Sequence, residues 1–167
     1  MSPRRRAISD ALVALDAGDL ERAKRLLRSA LAVPAPERDP LVTTGAFADA
    51  LRRSGLLEES SAVLQSAIDD APDDCERDIA RCLLADHQIK IGQYEAAEES
   101  AGQVASNSAM YPHARAFLAV ASDRLGRANA LQVALSALDS ANEGQRSLVL
   151  RTLGEGLARR VRLVGST

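Results

Sequence analysis

Histidine, cysteine and clustered carboxylates are where chemistry would have to begin in this sequence, and the first two types are scarce: His87, His113, Cys75 and Cys82. A zinc site needs soft donors in closely spaced pairs that converge on one point, and these four show no such pairing. The cysteines stand seven apart in sequence, which on a helix sets them on one face about 10 Å from each other, beyond disulfide reach. Both are read as small buried residues, and without a disulfide framework the expected compartment is a reducing cytoplasm. His87 is expected on an exposed helix face and His113 in the first turn of a different helix, facing solvent, so neither is placed as a base beside a serine or thiol. Asp69, Asp70, Asp73 and Asp74 gather around Pro72, but the spacing and glycine of a calcium-binding loop are absent, and capping of a solvated turn explains them better. Gly154-Glu155-Gly156 lacks the third glycine and the preceding strand of a phosphate loop. No catalytic residue, metal ligand or cofactor is therefore assigned, and enzymatic activity ranks behind the other readings.

Any function must then lie in what the scaffold presents. The chain has 167 residues, 46% of them apolar and only 2% aromatic, with a net charge of −2. That is enough material for one domain with a core, in a composition that favours helices over strands. With no basic field, neither nucleic acid nor an anionic membrane is an expected partner. No window approaches the run of about eighteen apolar residues that spans a bilayer. The basic start, Arg4-Arg5-Arg6, is followed by Asp10, Asp16 and Asp19 where an export leader would be apolar.

Four short phrases recur: Ala17-Gly18-Asp19-Leu20, Ser54-Gly55-Leu56-Leu57, Ile91-Gly92-Gln93-Tyr94 and Leu125-Gly126-Arg127-Ala128. Their glycines are 37, 37 and 34 residues apart, a spacing that marks stacked supersecondary units. Each glycine divides one run of helical periodicity from another. Phe47, Ala48 and Leu51 precede Gly55 at three- and four-residue spacing, and Leu57, Val63, Leu64, Ala67 and Ile68 follow it. Glycine tolerates the left-handed conformation that ends a helix and lets the next one turn back. Ser2-Pro3 and Asp39-Pro40 each offer an N-cap followed by proline at the first helical position, while Pro72 and Tyr111-Pro112 mark further unit starts. The spacing predicts helices over 3–17, 20–32, 40–54, 57–70, 74–91, 94–107, 111–125 and 128–141, with a last helix over 145–161. Residues 33–39 are expected to be a loop inside a single domain spanning 1–167.

These positions resemble a tetratricopeptide repeat. The second unit carries the pattern as Phe47-Ala48, Leu51, Gly55, Leu57, Leu64, Ala67 and Pro72; the third as Leu84-Ala85, Gly92, Tyr94 and Ala97; the first as Ala11, Gly18, Leu20, Ala23, Leu27, Ala30 and Pro34. Ser60, Val104 and Leu131 depart from it where the family prefers alanine or another small residue. The resemblance implies an all-α, right-handed superhelical stack of about four antiparallel hairpins (3–34, 39–72, 74–109 and 111–143). A C-terminal helix over 145–161, weakened by Gly154 and Gly156, is expected either to cap the last hairpin, since one amphipathic hairpin cannot hide its apolar faces alone, or to serve as a docking element.

The resemblance also implies a concave surface lined by the first helix of each hairpin. Inward positions six and two residues before each glycine are Asp49 and Arg53, Asp86 and Lys90, and Val120 and Arg124. Arg53, Lys90 and Arg124 would form a ladder of cations flanked by Arg52 and Arg115, with Asp16 interrupting it in the first unit. Leu12, Ile79 and Ile89 are further inner-surface candidates. Such a ladder would meet carboxylates of a peptide or helix; equally, Asp49 with Arg53 and Asp86 with Lys90 have the spacing of ordinary helix-surface ion pairs. Asp49 and Asp86 stand where receptors of acidic chaperone tails carry asparagine, which argues against that role. The expected function is a cytoplasmic protein-interaction adaptor or small chaperone with a protein or peptide partner. A self-assembling, homo-oligomeric module is the alternative.

Overall fold

The computed structural model describes residues 2–33 and 39–164. The described residues form helices and no strands: α1 (Pro3–Asp16), α2 (Leu20–Ala32), α3 (Leu41–Arg53), α4 (Leu57–Asp69), α5 (Asp74–Lys90), α6 (Tyr94–Gly102), α7 (Tyr111–Arg124), α8 (Ala130–Ser140) and α9 (Glu143–Val164). None is long and apolar enough to cross a membrane. Pro34, and with it most of the 33–39 connector, lies outside the described residues. The helices gather into two compact units, one ending at Asp70 and one starting at Ala71.

The recurring glycines close one turn four times over. Gly18, Gly55, Gly92 and Gly126 have φ of 77°, 77°, 79° and 69°, a region that costs an L side chain free energy and costs glycine almost none. In each turn the residue after the glycine donates its N–H five residues back, Asp19 to Ala14, Leu56 to Leu51, Gln93 to Gln88 and Arg127 to Ser122, at 2.8–2.9 Å. The glycine N–H bonds three residues back, at 2.9–3.1 Å. This is the Schellman arrangement, which satisfies the carbonyls a helix end leaves open. Caps open the following helices: Ser2 accepts from Arg5, Asp19 from Arg22 and Asp73 from Glu76. Asn142 and Gln145 bond each other's backbone N–H reciprocally at 3.1 and 3.0 Å and start α9. Asp39 does not cap α3 as its place before Pro40 predicts. Its carboxylate instead binds Arg4 at 3.1 Å and Arg5 at 2.9 Å, and Pro40 itself takes the capping position.

In the first unit α1 packs on α2 and α3, and α3 on α4. Its core is Ile8, Leu27, Phe47, Leu51 and Leu56 with Ala11, Ala30 and Ala50. Phe47 is 1% exposed, a burial that stabilises by about 1.5–3 kcal/mol, and the Arg4 guanidinium stands 5.2 Å from its ring centre. Ser60, a departure from the repeat pattern, is fully buried and its hydroxyl donates to the Ala48 carbonyl at 2.6 Å. The small position thus tolerates a hydroxyl because a partner stands opposite it.

In the second unit α5 packs on α6 and α7, α6 on α7, α7 on α8, and α9 covers both α7 and α8. Val133, Leu138, Val149, Leu153, Leu157 and Val161 meet Ala116, Ala119, Ala134 and Ala137 in its larger core. A smaller cluster joins Cys82, Val104 and Ala114 to Met110 and Phe117. Two elements differ from expectation. Helix α6 stops at Gly102, not at 107, and a turned segment follows in which Ser108 N–H bonds Ala105 and Tyr111 N–H bonds Ser108. The last helix runs longer than expected, over Glu143–Val164, and its backbone breaks at Gly154, with φ 69° and ψ 171°, a conformation open essentially to glycine alone.

Candidate partner-binding surface

The sequence singles out cations near the C-terminal ends of the first helices of the hairpins, where a positive side chain also meets the negative end of the helix dipole. In the first unit Arg52 grips Asp49, its Nη2 at 2.7 Å and Nε at 3.2 Å from the same carboxylate oxygen. Arg53 therefore does not pair with Asp49. Its Nη2 reaches Asp16 of the preceding hairpin at 3.1 Å. Asp16 and Arg53 both stand two residues before a turn glycine, so the acid that interrupts the ladder in sequence is the ion-pair partner of the next rung. Both ends are well exposed, at 73% and 37%, which limits the pair to about 1 kcal/mol or less.

In the second unit Lys90 pairs with Asp86 at 2.6 Å, the ordinary helix-surface pair that the four-residue spacing offers. Arg124 is exposed and has no carboxylate within ion-pair distance among the described residues. Arg115 lies 5.9 Å from the Tyr111 ring centre on the same helix, and its buried Nε has no hydrogen-bond partner. Val120 is half-buried against the larger core, and Leu12, Ile79 and Ile89 are likewise half-buried. The apolar candidates thus belong largely to packing, while Lys90 and Arg124 present charge to solvent.

Several polar residues take places the sequence reading did not assign. His87 is 4% exposed and His113 is 9% exposed, where both were expected at the surface. Each lies on a buried stripe, His87 with Ala80 and Leu84, and His113 with Ala116, and that i, i+3, i+4, i+7 spacing was the available signal. Both ring nitrogens of His113 are buried without a hydrogen-bond partner, and desolvation pushes its pKa below the usual 6.5. Of the two cysteines only Cys82 is buried; Cys75, in the first turn of α5, is exposed. Burial, then the nearby Asp78 carboxylate, pushes the Cys82 thiol up to about 12, so it stays protonated and unreactive at neutral pH. Asp78 is itself buried and held by Arg81 at 3.0 Å, and the same guanidinium nitrogen donates to the Gln103 carbonyl. Glu98 on α6 accepts from Ser122 at 2.5 Å and lies 3.6 Å from Arg127. These contacts fasten α5 to the end of α6, and α6 to α7. Among the described residues no three histidine, cysteine or carboxylate side chains converge as a metal site would require.

Helical hairpins closed by identical glycine turns, with small residues between packed helices, define a tetratricopeptide-like fold. A solved structure, MamA MSR-1 C2, a tetratricopeptide-repeat protein, is similar to this chain over 98% of its length and 99% of that chain, with a TM-score of 0.54 and 18% identity. That likeness is one of fold. No protein-family model matches the sequence, and no curated protein does.

Proposed function

We propose that this protein is an interaction adaptor or small chaperone that holds an acidic peptide or helix of a partner protein against the first helices of its hairpins. Lys90 and Arg124, both in the second unit, would make the contacts. The observation that carries the reading is the recurrence of a cation two residues before the turn glycine in three hairpins, with Arg124 exposed and free of any carboxylate among the described residues. Arg53 and Lys90 are engaged by exposed acids, and such solvent-screened pairs exchange readily for a partner's carboxylates. A fold known for protein contacts supports a protein partner by analogy.

The test is capture from lysate of the native cell with the wild-type chain and with the double variant Lys90→Glu/Arg124→Glu, each identified by mass spectrometry. The expected result is a partner held by the wild type and lost from the variant, with unchanged circular dichroism. An identical set of captured proteins would overturn the reading. The alternative, a self-assembling module, is separated by sedimentation of the purified chain: a stable oligomer without partner favours assembly.

A further inference from the structure

A concavity runs along α9 across the break at Gly154. Val149, Leu153, Leu157 and Val161 are buried against α7 and α8. Beside that stripe the concavity, of about 730 Å³, follows α9 itself, its lining shared between Leu150 and Ala158, which also meet the core, and Arg151, Gly154, Glu155, Arg159 and Arg162. After the break, Glu155, Ala158, Arg159 and Arg162 recur at three- and four-residue intervals and so share one face of the second half of α9, while Arg151 lines the same concavity from the first half. Three guanidiniums stand there against one carboxylate. Arg151 and Arg159 have no ion-pair partner among the described residues, although Glu155 is four residues from each. The ε-region backbone at Gly154 takes Arg151 out of helical register with Glu155. By contrast Arg160, on another side of the helix, is fixed to Asp123 at 2.7 Å. No atom lies within 4 Å of where a Cβ would stand on Gly154, so a second backbone can approach closely there.

We infer that this face of α9 is a second docking surface, separate from the hairpin cations, and that its occupant is an acidic amphipathic helix of another protein. Carboxylates of the incoming helix would pair with Arg151 and Arg159, where bidentate geometry favours arginine. Its small or apolar positions would lie over Gly154 and Ala158, as in helix-in-groove recognition.

The test uses the full chain and a fluorescein-labelled amphipathic peptide of repeated Leu-Glu-Glu-Leu-Ala-Glu-Glu units, with a lysine-for-glutamate counterpart, followed by anisotropy. The glutamate peptide is expected to bind, the lysine peptide not, and Arg151→Glu/Arg159→Glu to weaken binding by about tenfold or more, since both rim charges are reversed. The same loss is expected when Arg151→Glu/Arg159→Glu is added to Lys90→Glu/Arg124→Glu, a background in which the hairpin cations are already reversed. Equal binding of both peptides, or no effect of the α9 variant in a chain with unchanged circular dichroism, overturns the inference. So does binding lost only in the Lys90/Arg124 variant, which would place the acidic peptide on the hairpin cations. A dimer of the purified chain that Arg151→Glu/Arg159→Glu abolishes would make the occupant a second copy and would equally overturn it.

Discussion

Replacing Gly154 and Gly156 separately by alanine should move stability in opposite directions, although the two positions share one helix and neither would bring a new Cβ within 4 Å of another atom. With steric cost removed from both, only backbone conformation and the unfolded chain differ. Gly154 has φ 69° and ψ 171°, where a non-glycine residue costs about 1–3 kcal/mol. Alanine also narrows the unfolded ensemble, which returns about 0.4–1 kcal/mol, so Gly154→Ala should destabilise by about 0.5–2 kcal/mol net. Gly156 lies in α9 without a positive φ, where alanine should stabilise by about 0.5–1 kcal/mol. The expected separation of about 2 kcal/mol corresponds to roughly 4–8 °C in Tm for a chain of this size. Thermal and urea melts followed by circular dichroism read both. If Gly154→Ala were as stable as Gly156→Ala, the helix would be continuous through residue 154, and the break would be wrong.

Acidification should weaken the fold through His113. Its pKa is lowered by burial, so the unfolded chain takes up the proton first as pH falls through the ordinary histidine value. The stability it contributes is whole above about pH 6.5 and declines below it, with a slope no steeper than the one-proton limit of about 1.4 kcal/mol per pH unit. Urea melts across that range should show a flatter profile for His113→Leu than for the wild type; parallel profiles would refute the assignment. The two thiols should also separate: in the native protein a thiol reagent should label the exposed Cys75 quickly, and Cys82 only on unfolding. Rapid labelling of both in Cys75→Ser and Cys82→Ser single variants would contradict the burial.

The hairpins were legible because one local requirement, a positive φ after a helix, leaves a glycine at the same place in every copy. Its companions, small residues such as Ala11, Ala48, Ala85 and Ala97, fall where helices pack closely. Gly154 obeys the same rule but was hidden. It comes 28 residues after Gly126, out of step with the earlier interval, and the apolar stripe of Leu150, Leu153, Leu157 and Val161 runs past it as though the helix were unbroken. The end of α6 was misplaced because the periodicity through Ala101 and Val104 outweighed Gly102, which stops the helix, and the turn-forming Ser106-Asn107-Ser108. Among the candidate contacts, the pairing of Arg53 with Asp16 was invisible to spacing along a single helix. It depends on two helices of different hairpins lying side by side, at a distance in sequence that only the repeat register relates. Histidine misled for a different reason: its type is at home on either side of a helix, so only its neighbours' periodicity could decide, and at positions 87 and 113 that periodicity pointed inward.

Alanine supplies much of the buried surface in both units, from Ala11, Ala23 and Ala30 to Ala116, Ala134 and Ala137. A methyl group gives little to lose and no room to grow, so the usual vulnerability of an interior is reversed. Trimming such a site to glycine costs about 0.5–1 kcal/mol, whereas a single step up to valine or leucine has to force two rods apart, at about 1–3 kcal/mol or more. Over evolutionary time this scaffold would be policed at its seams against enlargement, leaving its outward faces free to diverge.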